Sequence, residues 1–144
     1  MGNSEHILIS LESRHAENIF AGSKRVELRR RTMNVSPGAT LWIYVKLPVG
    51  SIVGHARVGE VHASSPSTLW RLYGEVSGLS KREFFDYFGG VEQGVALVLE
   101  ESTRLRSSLS LEALRQVDEG FQPPQFFARL TSGHPLHEAV TSSG

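Results

Sequence analysis

The run Leu41-Trp42-Ile43-Tyr44-Val45 has no polar face. Successive side chains of a strand point to opposite sides of its sheet, so a half-exposed strand alternates apolar with polar residues. Here every position is apolar or aromatic. Thr40 to Lys46 is therefore expected to be a central strand, buried on both faces. At 144 residues the chain is one domain's worth of sequence, long enough to bury such a core.

The remaining elements follow from local signals. His6 to Leu11 is a short apolar strand. Glu12 to Ala21 reads as a helix with Ala16, Ile19 and Phe20 as its apolar stripe, Ser13 as N-cap and Gly22 at the C-cap. Asn34-Val35-Ser36-Pro37-Gly38 and Leu47-Pro48-Val49-Gly50 are turns. Ser51 to Ala63 is a longer strand, with Gly54 and Gly59 as bends or bulges. Ser65-Pro66 starts a helix with a serine cap and a proline at its first position. Ser77-Gly78 breaks that segment, and Ser80-Lys81-Arg82-Glu83 is a capping box opening a second helix through Phe84, Phe85, Tyr87 and Phe88. Gln93 to Glu100 is a strand, Thr103 to Leu109 one more, and Ser110 caps a short helix through Leu111, Leu114 and Val117. Phe121 to Phe127 is an aromatic-proline clamp that closes the fold. From Thr131 the composition turns small and polar. The domain is thus expected to span residues 6–130, with residues 131–144 as a flexible C-terminal tail. Strands joined by short turns, with helices between them, predict an α+β fold: a small mixed β-barrel with inserted helices.

The charge is concentrated in one place. Five of the eight residues from Lys24 to Arg31 are basic, in a chain whose 15 basic and 15 acidic residues cancel. Val26 and Leu28 alternate with Arg25, Glu27, Arg29 and Arg31, the period-two pattern of a half-buried strand. One reading is an edge strand charged against edge-to-edge pairing. The other is a local patch for an anionic partner, since the whole chain has no net attraction to offer.

Several classes have no motif here. There is no cysteine, hence no disulfide framework, thiolate metal site or cysteine nucleophile. His55 and His62 fall on opposite faces of their strand, barring a bulge, and Pro135 argues against a metal-binding helix at His134 and His137. No phosphate loop or G-x-S-x-G elbow occurs, so no metal and no cofactor is called for. No apolar run approaches a membrane span, and no signal-peptide pattern is visible. Met1-Gly2 lacks the Ser or Thr that N-myristoylation wants at His6. A cytoplasmic location is expected.

Gly22-Ser23-Lys24-Arg25-Val26-Glu27-Leu28-Arg29 resembles the G-x-K-x-x-E-x-R signature of the ASCH domain family. The lead-in Ile7-Leu8-Ile9-Ser10-Leu11, the helix segment Ala16-Glu17-Asn18-Ile19, and then Ile52-Val53-Gly54, Gly59-Glu60-Val61, Phe84-Phe85-Asp86-Tyr87-Phe88 and Pro123-Pro124-Gln125 are similar to it too. The likeness runs from about His6 to Leu130. It implies a PUA-like β-barrel with a cleft over the signature strand, and a role connected with RNA. Within that cleft Lys24, Glu27, Arg29, Arg31 and Tyr44 are the expected ligand-binding residues. Arg29 offers a planar fork for phosphate, Glu27 an acceptor for an amine or a ribose hydroxyl, and Tyr44 a stacking surface. The other reading is that Glu27 and Arg29 pair with each other or with Arg31, and Trp42 is expected in the core.

The implied activity is RNA or nucleotide binding. The alternative is an amidohydrolase acting on N-acetylated cytidine or a related modified nucleoside, or an RNA-cleaving enzyme. In the acetylcytidine-hydrolysing branch the site resembles a lysine, a threonine three residues on, and a glutamate before the middle helix. Lys24 matches the lysine and Glu75 sits where that glutamate falls, whereas Glu27 stands in place of the threonine. Lys24, Glu27 and Glu75 are the catalytic candidates on that reading. A carboxylate at Glu27 is expected to hold Lys24 protonated, which makes it a poorer base. A protein partner for the charged strand is the third reading.

Overall fold

The computed structural model describes residues 5–144, so the Met1-Gly2 reading lies outside the described residues. The elements run β1 (His6–Leu11), α1 (Ser13–Ala21), β2 (Val26–Arg29), β3 (Thr40–Val45), β4 (Ser51–Ser64), α2 (Pro66–Tyr73), a 3-10 turn (Gly74–Val76), α3 (Lys81–Tyr87), β5 (Gly94–Ser110), α4 (Leu111–Val117), β6 (Ala128–Arg129) and α5 (Pro135–Ser143). Among the described residues the strands form one sheet in the order β2-β5-β4-β3-β1-β6. β1 and β3 are parallel, and the other neighbours are antiparallel. The sheet curls into a half-barrel of the mixed α+β kind expected. Register shifts in the β4–β5 pairing between Ile52 and Gly54, His55 and Arg57, and Val58 and Glu60 supply the bends.

β3 is the central strand that its sequence requires. Leu41, Ile43 and Val45 enter the concave core with Ile7, Ile9, Leu97 and the α1 residues Ala16 and Ile19. Trp42 and Tyr44 enter a second cluster on the other face with Leu8, Ile52, Leu114 and Phe121. A third cluster joins Val26, Leu28 and Ala96 to Leu69, Phe84 and Phe88 of α2 and α3. Local capping signals act as expected except at α1, where Glu12 and not Ser13 is the N-cap and no side chain caps the helix among the described residues. Ser65 Oγ accepts from the Thr68 amide, Ser80 and Glu83 form a reciprocal capping box, and Gly22 ends α1 at φ 86°. No helix among the described residues is long and apolar enough to cross a membrane.

Three expectations are corrected. Residues 131–144 are not a loose tail: α5 docks on the second cluster through Leu136 and Val140, both fully buried. Their i, i+4 spacing puts both on one helix face. His134 caps the helix, its Nδ1 accepting from the Leu136 amide at 3.0 Å. The domain therefore runs past residue 130 to α5. The strands read at 93–100 and 103–109 are one strand, β5, which passes through Glu101 in the left-handed region at φ 50°. The Lys24–Arg31 strand is shorter, with only Val26–Arg29 in the ladder.

Candidate functional site

A cleft of about 950 Å3 opens beside β2, between α1, the α3 end of the third cluster and the segment before β6. Its lining carries six lysines and arginines (Arg14, Lys24, Arg29, Arg30, Arg31 and Lys46) against three glutamates (Glu12, Glu27 and Glu83). The chain's balanced charge is thus unbalanced here, in a concave place where it can attract an anion.

β2 sets the direction of the signature residues. Glu27 pairs in register with Leu97, and Arg29 with Val95. Directly opposed residues share a face, and Leu97 and Val95 belong to the concave core. Glu27 and Arg29 therefore project to the cleft side, while Val26 and Leu28 pack under α2 and α3. Glu27 is 5 % exposed, and its Oε2 lies 2.9 Å from Arg29 Nη2. Arg29 Nη1 also donates to the Phe126 carbonyl at 3.0 Å. The fork expected for phosphate is thus occupied by the protein: Arg29 ties the signature strand to the segment before β6. Arg29→Ala should destabilise the fold by about 1–3 kcal/mol, because it leaves a buried carboxylate without its donor. Urea unfolding measures this, and an unchanged midpoint would show that the pair is not holding the strand.

Lys24 stands at the floor, 4 % exposed. Its Nζ donates to the Ser77 carbonyl at 2.5 Å. Gly78, at φ 72°, lets the chain turn there, and a Cβ on it would sit 3.3 Å from Lys24 Cδ. Burial pushes the Lys24 ammonium below its ordinary value; Glu27 pulls it up, and Arg14 and Arg29 push it down again. Glu27 acts on the lysine in the expected direction, favouring the protonated form, but burial is the larger effect, and the carboxylate makes no ion pair with Lys24 among the described residues.

His15 of α1 lines the same cleft. Burial, then the charges of Lys24 and Arg14, hold its imidazole below the usual value, against Glu27 and Glu12. Its Nδ1 is buried with no hydrogen-bond partner among the described residues. An ion pair of 2.9 Å between Arg14 and Glu83 joins α1 to α3 over the cleft. The Ser80 amide and Arg14 hold the Glu83 carboxyl down at about 2. Tyr87 donates to the Leu28 carbonyl at 3.0 Å, fixing α3 to β2.

The cleft brings together Lys24, Glu27, Arg29 and Arg31. It does not include Tyr44, which is 2 % exposed in the second cluster, packed edge-on against Phe121. Both sides of β3 are apolar, so only the packing of α4 and α5 decides which face Tyr44 takes. Glu75 is exposed on the 3-10 turn and does not line the cleft either. Trp42 is in the core as expected. Sequence reasoning missed Arg14, His15, Lys46, Gln125 and Phe126. Lys46, Gln125 and Phe126 are brought to β2 by other parts of the chain, while Arg14 and His15 come from the adjacent α1, whose polar face carries no pattern that points to β2.

A family described as a domain of unknown function (DUF365) matches residues 6–133. An "ASCH domain-containing ribonuclease" of Zymomonas mobilis subsp. mobilis is 36% identical over 118 residues, covering 82% of this chain and 79% of the relative. The crystal structure of a serine-to-alanine variant of the Zymomonas mobilis ASCH protein superposes with a TM-score of 0.89 at 31% identity, over 100% of both chains. The ASCH crystal structure from that organism gives 0.87 at 32% identity, over 96% of each chain.

Proposed function

The chain belongs to the ASCH domain family, and from that premise we propose that it binds single-stranded RNA in the basic cleft and cleaves it by transesterification. The observation that carries this reading is the pair in the cleft: a buried lysine and a half-buried imidazole, each shifted toward its neutral form, beside a cationic rim. Arg14, Arg30, Arg31 and Lys46 are exposed on that rim and take the phosphates. Neutral His15 accepts the proton of a ribose 2′-hydroxyl, whose oxygen attacks the adjacent phosphorus. The bond from phosphorus to the 5′-oxygen breaks, and protonated Lys24 gives that oxygen its proton. The products are a 2′,3′-cyclic phosphate and a free 5′-hydroxyl. His15 and Lys24 differ enough in ordinary pKa to divide the two roles at neutral pH.

The similarity to a protein named as a ribonuclease supports this choice of substrate. Hydrolysis of acetylated cytidine has less support: Glu75 lies outside the cleft, and a carboxylate replaces the hydroxyl at Glu27.

The test uses end-labelled single-stranded RNA and DNA of one sequence, in the presence of a chelator. RNA should be cut to cyclic-phosphate ends, and DNA, lacking the 2′-hydroxyl, bound but left whole. With three to four phosphate contacts, log K should fall against log salt with a slope of roughly −2 to −3. Acetylated cytidine should not turn over. Equal cutting of DNA, or no cutting of RNA, would sink the mechanism.

A further inference from the structure

We propose that Phe126, with the Arg31 guanidinium over its ring, forms a nucleobase-stacking subsite at the rim of the cleft. The proposal rests on the RNA reading and deepens it: it names the surface that holds an unpaired base of the single strand.

Phe126 is 58% exposed, while Phe121, in the same proline-rich segment, is 6% exposed in the second cluster. A large ring standing in water usually sits on a mobile segment, but the backbone that carries this ring is held in place. Pro123 and Pro124 restrict the approach. Ser10 Oγ donates to the Pro124 carbonyl at 2.7 Å, and Arg29 donates to Phe126's own carbonyl. Two residues on, Ala128 and Arg129 pair with β1. Phe127 is packed against the concave core and carries the Arg129 guanidinium 5.4 Å from its ring centre. The segment is thus pinned at both ends, with the Phe126 side chain left unpacked between them. A preformed aromatic surface of this kind loses little freedom on binding.

The Arg31 guanidinium lies 5.0 Å from the Phe126 ring centre. It is exposed and can stack on a base or fork onto a phosphate. Every base has a π-face, so stacking on a phenyl ring selects for unpaired bases without selecting a sequence. A paired base in a duplex keeps its faces for its neighbours and cannot use the platform. Phe126 and Arg31 line the same cleft as Lys24 and His15. A base seated on Phe126 therefore brings its strand to the cleft floor.

The experiment measures binding of three labelled oligonucleotides by fluorescence anisotropy: single-stranded RNA, the same RNA as a duplex, and an abasic strand of equal length. Phe126→Ala should weaken single-strand binding about 5- to 150-fold, the range that removal of one stacked base implies. Duplex and abasic binding should not change. Phe126→Trp should bind the single strand as the wild type does, and the added indole fluorescence should be quenched by RNA and not by the abasic strand. This second variant decides the matter even where Phe126→Ala folds poorly. Unchanged single-strand affinity in Phe126→Ala, an equal loss on the abasic strand, or an unquenched indole would each overturn the subsite while leaving RNA binding by the cleft standing. Failure of the wild type to bind any RNA would overturn both.

Discussion

Truncation after Leu130 is expected to lower the melting temperature by about 10 °C or more. The cause is α5. Leu136 and Val140 are fully buried, against the cluster that contains Leu8, Trp42 and Leu130. Replacing a single buried leucine with alanine costs about 2–5 kcal/mol, so Leu136→Ala alone should account for much of the loss. The truncated chain also uncovers one face of β3, and a strand apolar on both faces cannot tolerate water on either. Thermal unfolding of the full chain, the truncation and Leu136→Ala checks this. A truncation that melts within two degrees of the full chain would show that α5 adds nothing to the fold.

Lys24→Met is expected to reduce RNA cleavage by about 10²–10⁴-fold while leaving RNA binding within a few-fold, because the rim cations remain. The pH profile gives a sharper readout. His15 acts in its neutral form, and its pKa lies below 6.5. Activity should therefore rise with pH through a value lower than 6.5. Lys24 acts in its protonated form, and its pKa lies below 10.5. Activity should fall again as pH climbs through that lowered value. In Lys24→Met the falling limb should vanish. The rising limb should move up, because the Lys24 charge that depresses His15 is gone. An unaltered profile, or a wild-type rate that keeps climbing to pH 10.5, would remove Lys24 from the chemistry.

Elements set by neighbours in sequence were legible without a structure. Ser65-Pro66, the Ser80–Glu83 box and Gly22 are caps whose partners lie within a few residues, and all three act as read. Misreadings came where distant packing decides. α5 has only two fully buried apolar anchors among small and polar residues, and it is a helix in place because the outer face of β1 and β3 is there to receive them. The polar step Glu100-Glu101-Ser102 resembles a strand end, but pairing with β4 carries β5 through it. Within the site, Lys24, Glu27 and Arg29 could be placed because they share one short strand and its approach. Their roles could not. That Arg29 holds Phe126, and that Lys24 is shifted more by burial than by Glu27, depends on segments up to 97 residues away.

The anchor of Lys24 is a main-chain carbonyl, and this changes where variation can enter the site. The Ser77 hydroxyl is occupied locally, donating to the Gly74 carbonyl and accepting from the Leu79 amide. Another side chain at 77 would weaken the turn but would still present an oxygen to the ammonium. The more constrained position is Gly78: its left-handed backbone disfavours other residues, and a Cβ there would press on the lysine stem at 3.3 Å. The lysine thus depends on a path as well as a partner, and a substitution at Gly78 would act on it through its stem, displacing the ammonium from the Ser77 carbonyl without altering a polar group of the cleft.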